Sequence, residues 1–262
     1  NISGDFDGNF IKAEASFKLN NDTEAIASLN HNSNAPNYNF LLHQNGYVNY
    51  NWQTSFNNTE TQQLQFQLKS KKIAHITATY ATINDYAYFK RDETVPILED
   101  DRHPLKPFQN TGTINYLKVK LQKEIRLGKF ALDNTVMYQS VEDAENTLNV
   151  PEIITRNTLY FSSHLFKKAL YIQTGVTLNY FTAYNMNAYD PVLAEFYVQN
   201  DQEFGDFPRL DFFLNAKVRQ TRIFLKAEHF NSHLTGYNYF SAPNNPYRDF
   251  IVRFGIVWNF FL

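Results

Sequence analysis

The last sixteen residues of the chain, YRDFIVRFGIVWNFFL, constrain the fold more than any other segment. Every second residue from Phe250 to the end of this segment is apolar. These residues are Phe250, Val252, Phe254, Ile256, Trp258, Phe260 and Leu262. A β-strand places alternate residues on the same face, so the pattern predicts a strand with one fully apolar face. Such a strand would be an aggregation hazard at the edge of a soluble sheet, whereas a closed barrel in a lipid bilayer requires it.

The composition supports a membrane barrel and excludes several other classes of protein. Aromatic residues make up 16% of the 262 residues, yet the mean hydropathy is −0.46, because polar residues fill the alternate positions. No apolar run approaches the roughly 20 residues of a membrane-spanning helix. A net charge of −2 argues against nucleic-acid binding, and the absence of cysteine excludes disulfides and thiolate chemistry. We therefore predict an all-β fold, an antiparallel transmembrane β-barrel that forms a single domain over residues 1–262.

Alternating segments separated by turn signals run through the whole chain and predict about 12 to 14 strands, in an even number if the barrel closes. The stretch from Asn30 to Phe56 fits either one long strand or two, and a short strand is predicted at Glu195 to Val198. Short turns alternate with longer loops, which is typical of barrels with short periplasmic turns and long extracellular loops. The predicted short turns are Asn20-Asn21-Asp22, Ser70-Lys71-Lys72, Leu127-Gly128-Lys129, Lys167-Lys168 and Arg219-Gln220-Thr221.

Charged residues occupy the inward-facing parity of the predicted strands. As a functional hypothesis, they line a water-filled lumen and set its ion preference; the alternative is a paired network that braces a plugged or narrow barrel. A barrel of about 12 or more strands has more interior space than side chains fill, which favours the open lumen. Mixed signs argue against strong selectivity, with a slight anion preference near Lys118 and Lys120. The predicted lumen-lining residues are Lys12, Glu14, Lys118, Lys120, Asp211, Lys217, Lys226, Glu228 and Arg253.

Aromatic residues near the predicted strand ends are suited to the girdles at the two membrane interfaces. The members of this set are Trp52, Tyr80, Tyr138, Tyr180 and Trp258. A soluble core is a poor alternative, because one core could not bury so many aromatic side chains on every strand.

Catalytic and metal-binding patterns are weak. His229 and His233 are four residues apart, which on a strand separates them by about 13 Å, too far for one ion. Ser163 and His164 are adjacent, so strand alternation points them to opposite faces. With no phosphate loop or cofactor motif, we predict no enzymatic activity, no metal and no cofactor.

Two resemblances add to this interpretation. The terminal strand resembles the C-terminal recognition signal of bacterial outer-membrane barrels, which implies that Phe254, Trp258, Phe260 and Leu262 form an assembly signal for the barrel-assembly machinery. From about Ala35 onward the chain also resembles the Bacteroidetes putative porin family. The stretches that carry this second resemblance are TINDYAYF at 82–89, GKF at 128–130, NTVMYQ at 134–139, AEFYVQN at 194–200, FP at 207–208, RQTR at 219–222, KAEH at 226–229 and LTGYNYF at 234–240.

The family resemblance implies a place in the bacterial outer membrane and passive diffusion of small hydrophilic solutes. It also implies a C-terminal portion of a longer protein, and the chain starts at Asn1 without a signal region, so we expect a processed or truncated product. The implied partners are lipid, the assembly machinery and other outer-membrane proteins, with no nucleic acid. The alternative function is a non-conducting barrel that acts as a scaffold or accessory subunit. A secreted glycan-binding sandwich conflicts with the lipid-compatible terminal strand.

Overall fold

A computed structural model gives the structure of residues 8–97, 103–234, 236 and 239–258. In this part of the chain there are nineteen strands, one short α-helix, α1 Tyr38–Leu41, and turns of 3-10 helix at Val48–Tyr50 and Ser232–Leu234. The strands are β1 Gly8–Asn20, β2 Thr23–Asn34, β3 Leu42–His43, β4 Trp52–Gln53, β5 Thr59–Ser70, β6 His75–Asn84, β7 Ala87–Arg91, β8 Leu105–Gln109, β9 Ile114–Leu127, β10 Phe130–Glu142, β11 Ile153–Leu165, β12 Leu170–Phe181, β13 Ala188–Asp190, β14 Glu195–Tyr197, β15 Arg209–Val218, β16 Thr221–Glu228, β17 Phe240–Ala242, β18 Asn245–Pro246 and β19 Ile251–Trp258.

Eleven long strands form one antiparallel sheet, the main sheet, in which each strand pairs with the long strand that precedes it in the chain. Their order from edge to edge is β1-β2-β5-β6-β9-β10-β11-β12-β15-β16-β19. Strands β1 and β19 are the two edges, and no described strand pairs with their outer sides. The predicted all-β class and antiparallel arrangement are confirmed, although the described sheet is open rather than closed.

The segment between β2 and β5 differs from the sequence prediction of one long strand or two. It folds instead as α1, the two-stranded pair β3–β4 and a 3-10 turn. Local side chains bond its backbone: the Thr54 hydroxyl donates to the Phe40 carbonyl at 2.6 Å, and the Trp52 indole N–H donates to the Asn39 carbonyl at 3.0 Å. Such bonds offer the backbone an alternative to sheet pairing. The main sheet consequently has eleven described strands where about 12 to 14 were predicted.

Connections alternate in length along the main sheet, as the sequence predicted. Tight turns join β1 to β2, β5 to β6, β9 to β10, β11 to β12 and β15 to β16 at one end. Gly128 in the β9–β10 turn has a φ of +62°, a conformation that favours glycine. The segments 35–58, 85–113, 143–152, 182–208 and 229–250 connect the strands at the other end, and the predicted short strand at Glu195 is confirmed as β14.

The two faces of the main sheet differ in polarity. One cross-strand row consists of Leu29, Leu64, Tyr80 and Leu117, and the row beside it on the other face consists of Ser28, Gln65, Thr79 and Lys118. We call these the apolar face and the polar face. Leu64 is 57% exposed whereas Thr79 is only 3% exposed. The main sheet therefore exposes apolar residues along one face, while on the other face its inner strands shield polar residues such as Ser28, Thr79 and Thr177, the reverse of a soluble protein.

The hydrophobic core lies among the long loops rather than against the main sheet. Phe89, Leu105 and Leu193 form its buried centre, contributed by β7, β8 and the segment 182–208. Partly buried Phe40, Tyr50, Trp52 and Tyr197 pack around them. Three of the long segments are thus packed together at one end of the main sheet.

Candidate functional site: the polar face of the sheet

All nine charged residues that the sequence analysis assigned to the inward side lie on the polar face. The strand registers establish this, because directly paired residues share a face. These nine are Lys12, Glu14, Lys118, Lys120, Asp211, Lys217, Lys226, Glu228 and Arg253. The alternation in the sequence was sufficient to place each of them on this side.

Near the long-loop end of β15, β16 and β19, opposite charges on the polar face compensate one another. The Glu228 carboxylate lies 2.7 Å from Lys226 Nζ, 3.3 Å from Arg253 Nε and 4.0 Å from Arg248. Buried Asp211 accepts the backbone N–H of His229 at 2.9 Å and lies 3.7 Å from Arg209 Nε. This region resembles the bracing network that the sequence analysis left as an alternative.

Elsewhere on the polar face the cations are less compensated. Lys12 pairs with Glu14 at 2.9 Å on β1, where both side chains are exposed. The Lys118 ammonium lies 5.9 Å from the centroid of the Tyr116 ring. Within the described part of the chain, Lys120 and Lys217 form no ion pair. Positive charge without a carboxylate partner among the described residues therefore occurs on β9 and at the short-turn end of β15, among other places on this face.

Three aromatic rings on the polar face were missed by the sequence analysis. Tyr160 and Phe213 both pair with Gly175 from opposite sides, and Phe224 pairs with Gly255. The signal was present in the sequence, since Phe213 and Phe224 stand on the same parity as the charged residues of their strands.

Two cavities open on the polar face around these rings. One of 440 Å³ extends from Asp133 and Arg156 to Lys226. The other, of 470 Å³, extends toward the short turns, as far as Lys217 and Arg222. Gln173, Asn215 and Phe224 line both cavities, so the two are continuous.

The apolar face carries four of the five aromatic residues assigned to membrane interfaces. Tyr80, Tyr138 and Tyr180 lie in the halves of β6, β10 and β12 nearest the long loops. The Tyr80 hydroxyl donates to Asn115 at 3.1 Å and that of Tyr180 donates to Asp206. Trp258 pairs with Thr221 at the short-turn end, opposite to the tyrosines.

Trp52 is the exception, and its assignment to a membrane-facing girdle is wrong. Its ring stacks on His43 with centroids 4.9 Å apart and lies 5.9 Å from the Phe89 ring in the loop core. The error follows from the misassigned segment between β2 and β5. Odd and even positions share a face only along a strand, and no long strand forms here.

Two of the residues assigned to the C-terminal assembly signal, Phe254 and Trp258, lie on the apolar face. They are 82% and 60% exposed. The other two, Phe260 and Leu262, lie outside the described residues.

Hydrogen bonds to the Glu145 carboxylate join two of the long loops, and we call this contact the loop junction. Glu145 accepts hydrogen bonds from the Thr111 hydroxyl at 2.7 Å, the Thr111 N–H at 2.9 Å and the Tyr88 hydroxyl at 3.1 Å. The bonds from Thr111 lower the pKa of the Glu145 carboxyl group. Burial, reinforced by Glu145, raises the pKa of the Tyr88 hydroxyl to about 12. The segment 143–152 is thereby fixed to the segment 85–113.

No group of three or more histidine or acidic side chains suited to a metal ion occurs in the described ranges. The Nδ1 atom of buried His229 contacts the Arg248 carbonyl oxygen at 2.9 Å.

None of the helices described here is long and apolar enough to cross a membrane.

Comparison with known proteins identifies a family and structural relatives. The model of a family described as "Putative porin" matches residues 1–262. In the solved structure described as "Structure of the FpvAI-pyocin S2 complex", one chain is similar with a TM-score of 0.51 at 12% sequence identity; the likeness covers 94% of this chain and 31% of that chain. At that identity it concerns the fold alone. The curated proteins contain no match.

Proposed function

Since the chain belongs to the family described as "Putative porin", we propose that it contributes to a β-barrel of the bacterial outer membrane through which small hydrophilic solutes diffuse passively. The inverted polarity of the main sheet is the observation that carries this proposal. Eleven neighbouring strands carry an apolar face and, on the opposite side, a charged, amide-rich face.

Lipid is the environment that fits the apolar face. Soluble proteins rarely expose contiguous apolar patches of this extent, and large ones mark membrane or protein contacts. Tyrosines toward one end and Trp258 toward the other match the aromatic girdles that flank the apolar band of a transmembrane barrel. The exposed Phe254 and Trp258 side chains are also available to the barrel-assembly machinery, which we propose as a partner.

Water is the environment that fits the polar face. Lys118, Lys120 and Lys217 would lose hydration in a dry interior without gaining a carboxylate partner, which is unfavourable for a buried charge. The two cavities on this face support an open lumen rather than a fully braced one. Passive diffusion through such a lumen requires no catalytic group, and we propose no enzymatic activity.

One observation favours the alternative of a non-conducting scaffold. The long loops pack around a core of Phe89, Leu105 and Leu193, so they have the internal order of a docking platform. A scaffold would need this loop surface and would have no use for uncompensated lysines on the polar face.

Conductance of the purified protein in a planar lipid bilayer tests the proposal. A porin gives stepwise, ohmic single-channel currents, whose reversal potential in a salt gradient reports the net charge along the polar face. A protein that inserts and shows the heat-modifiable migration of a folded barrel, yet never conducts, would contradict diffusion and support the scaffold.

A further inference from the structure

Tyr160, Phe213 and Phe224 all line the 440 Å³ cavity on the polar face, and glycines stand beside them in the neighbouring strands. A β-carbon on Gly175 would lie 2.7 Å from Tyr160 Cβ and 2.3 Å from the Leu159 carbonyl oxygen. A β-carbon on Gly255 would lie 2.5 Å from Cε1 of Phe224. A larger residue at Gly175 would collide with the backbone, and one at Gly255 would displace the Phe224 ring. Glycine at position 255 therefore lets the Phe224 ring lie against the polar face of the sheet.

These rings line a groove rather than filling a core. The 440 Å³ and 470 Å³ cavities share Gln173, Asn215 and Phe224 and together run from Arg156 to Arg222. Phe224 remains 39% exposed although it stands among charged and amide side chains. An exposed ring on the wetted side of a sheet gains little from the hydrophobic effect within the protein, so it is available to a ligand.

Hydroxyl and amide groups flank the rings along the whole groove. Gln173 and Asn215 each present both donors and acceptors, and Thr158 and Thr177 add hydroxyls, which bond each other at 3.0 Å. The Lys226 ammonium is compensated by Glu228 at 2.7 Å, and Asp133 stands in the same cavity as Arg156. Around Phe213 the groove therefore offers stacking surfaces, neutral hydrogen bonds and charges of both signs, whereas Lys217 and Arg222, at its short-turn end, have no carboxylate partner among the described residues.

A sugar ring matches this combination. Its hydroxyl groups donate and accept in the ring plane, while the C–H bonds of its faces carry a small positive charge that is attracted to the negative face of an aromatic ring. Because the groove is elongated, it suits several linked sugars better than a single one. The uncompensated cations of the groove, Lys217 and Arg222, stand at its short-turn end, in the cavity that Tyr160 and Phe213 do not line.

We propose that this groove is a binding track for neutral oligosaccharides, with Phe213 and Phe224 as stacking residues and Gln173 and Asn215 as hydrogen-bonding residues. The proposal rests on the proposed function, because it names the solute class that the lumen admits. It also makes a claim about binding that does not depend on conduction.

Calorimetric titration of the folded protein in detergent tests binding directly, with maltohexaose, cellohexaose and mannohexaose as probes. We expect at least one probe to bind and to be about tenfold weaker with Phe224→Leu or Phe213→Leu. These variants keep most of the side-chain volume and remove the aromatic face. The matched control is Phe130→Leu on the apolar face, which should leave the affinity unchanged.

The same probes added to a planar bilayer separate this proposal from the porin proposal. Reversible current block by an oligosaccharide, reduced in Phe224→Leu, supports the track. Open channels that no probe blocks or binds, or that polyethylene glycol of equal size blocks equally well, would overturn the track while leaving the porin proposal intact. Calorimetric binding to a barrel that does not conduct would retain the track and overturn passive diffusion, whereas binding unaffected by both variants would overturn the track.

Discussion

The aromatic ring of Phe224 on β16 lies over Gly255 on β19, in the space that a β-carbon would occupy. Cε1 and Cζ of the ring are 2.5 Å and 2.6 Å from that position. Aromatic residues are known to protect glycine in neighbouring strands in this manner. Here the ring covers the backbone of an edge strand on the polar face, within the proposed groove.

Alanine at Gly175 and alanine at Gly255 should have unequal effects. At Gly175 the new methyl group meets the Leu159 carbonyl oxygen at 2.3 Å, so the backbone must move. At Gly255 it meets the end of a flexible side chain, which can turn away. We expect Gly175→Ala to lower the free energy of unfolding by about 1–3 kcal/mol and Gly255→Ala by less. Urea titration in lipid vesicles measures both, and equal losses would contradict the difference in packing.

Phe66→Arg tests which face contacts lipid. Phe66 is exposed on the apolar face near the middle of β5. A charge there should destabilise the inserted barrel by about 2–4 kcal/mol if it lies at the bilayer midplane. Gln65→Arg on the polar face is the matched control and should have little effect in the same titration. A larger loss for Gln65→Arg would reverse the assignment of the faces.

Acid should loosen the junction between the two long loops. The lowered pKa of Glu145 means that its bonds contribute fully above the ordinary pKa of a carboxyl group and are lost as pH falls through the lower value in the folded protein. Hydrogen exchange of the Thr111 amide, corrected for the intrinsic pH dependence, should therefore accelerate in acid. Glu145→Gln is the control: it keeps the shape of the side chain and should remove the pH dependence. Unchanged protection of the wild-type amide in acid would refute the expectation.

The hydrogen bond between Tyr88 and Glu145 should also be lost at high pH. The Tyr88 hydroxyl donates to Glu145, and its raised pKa means that this bond is fully present below the ordinary tyrosine value near 10 and is lost as pH rises through about 12. Ultraviolet absorbance of tyrosinate, compared between the wild type and Tyr88→Phe, should show one late-titrating group. If the difference spectrum titrated at the ordinary value, the burial of Tyr88 would not influence its ionisation.

Lys120→Glu should shift ion selectivity toward cations. Lys120 stands beside Lys118 on the polar face and has no ion pair in the described ranges. Reversal of its charge changes the potential in the lumen, so the reversal potential in a potassium chloride gradient should move toward cation preference. Lys72→Glu in a short turn is a useful control, since Lys72 is highly exposed and pairs with Asp22. An identical reversal potential in Lys120→Glu and the wild type would place Lys120 away from the conduction path.

The parts of the fold that depend on strand periodicity could be predicted from the sequence. Lys226 and Glu228 were placed on one face because they are two residues apart, and the structure joins them at 2.7 Å. The segment around Trp52 could not be predicted in this way, because its conformation depends on contacts with Phe89 and His43 rather than on alternation. Phe213 was not among the residues predicted to line the polar face, although it has the same parity as Asp211 and Lys217.

Each strand of the main sheet pairs with the main-sheet strand that precedes it. A hairpin is therefore the unit by which such a sheet can be lengthened or shortened during evolution. Adding or removing two strands keeps every later residue on its original face and every long loop at its original end. A single added strand would reverse the direction of all that follow and move the later long loops to the opposite end of the sheet, so viable relatives should differ by whole hairpins.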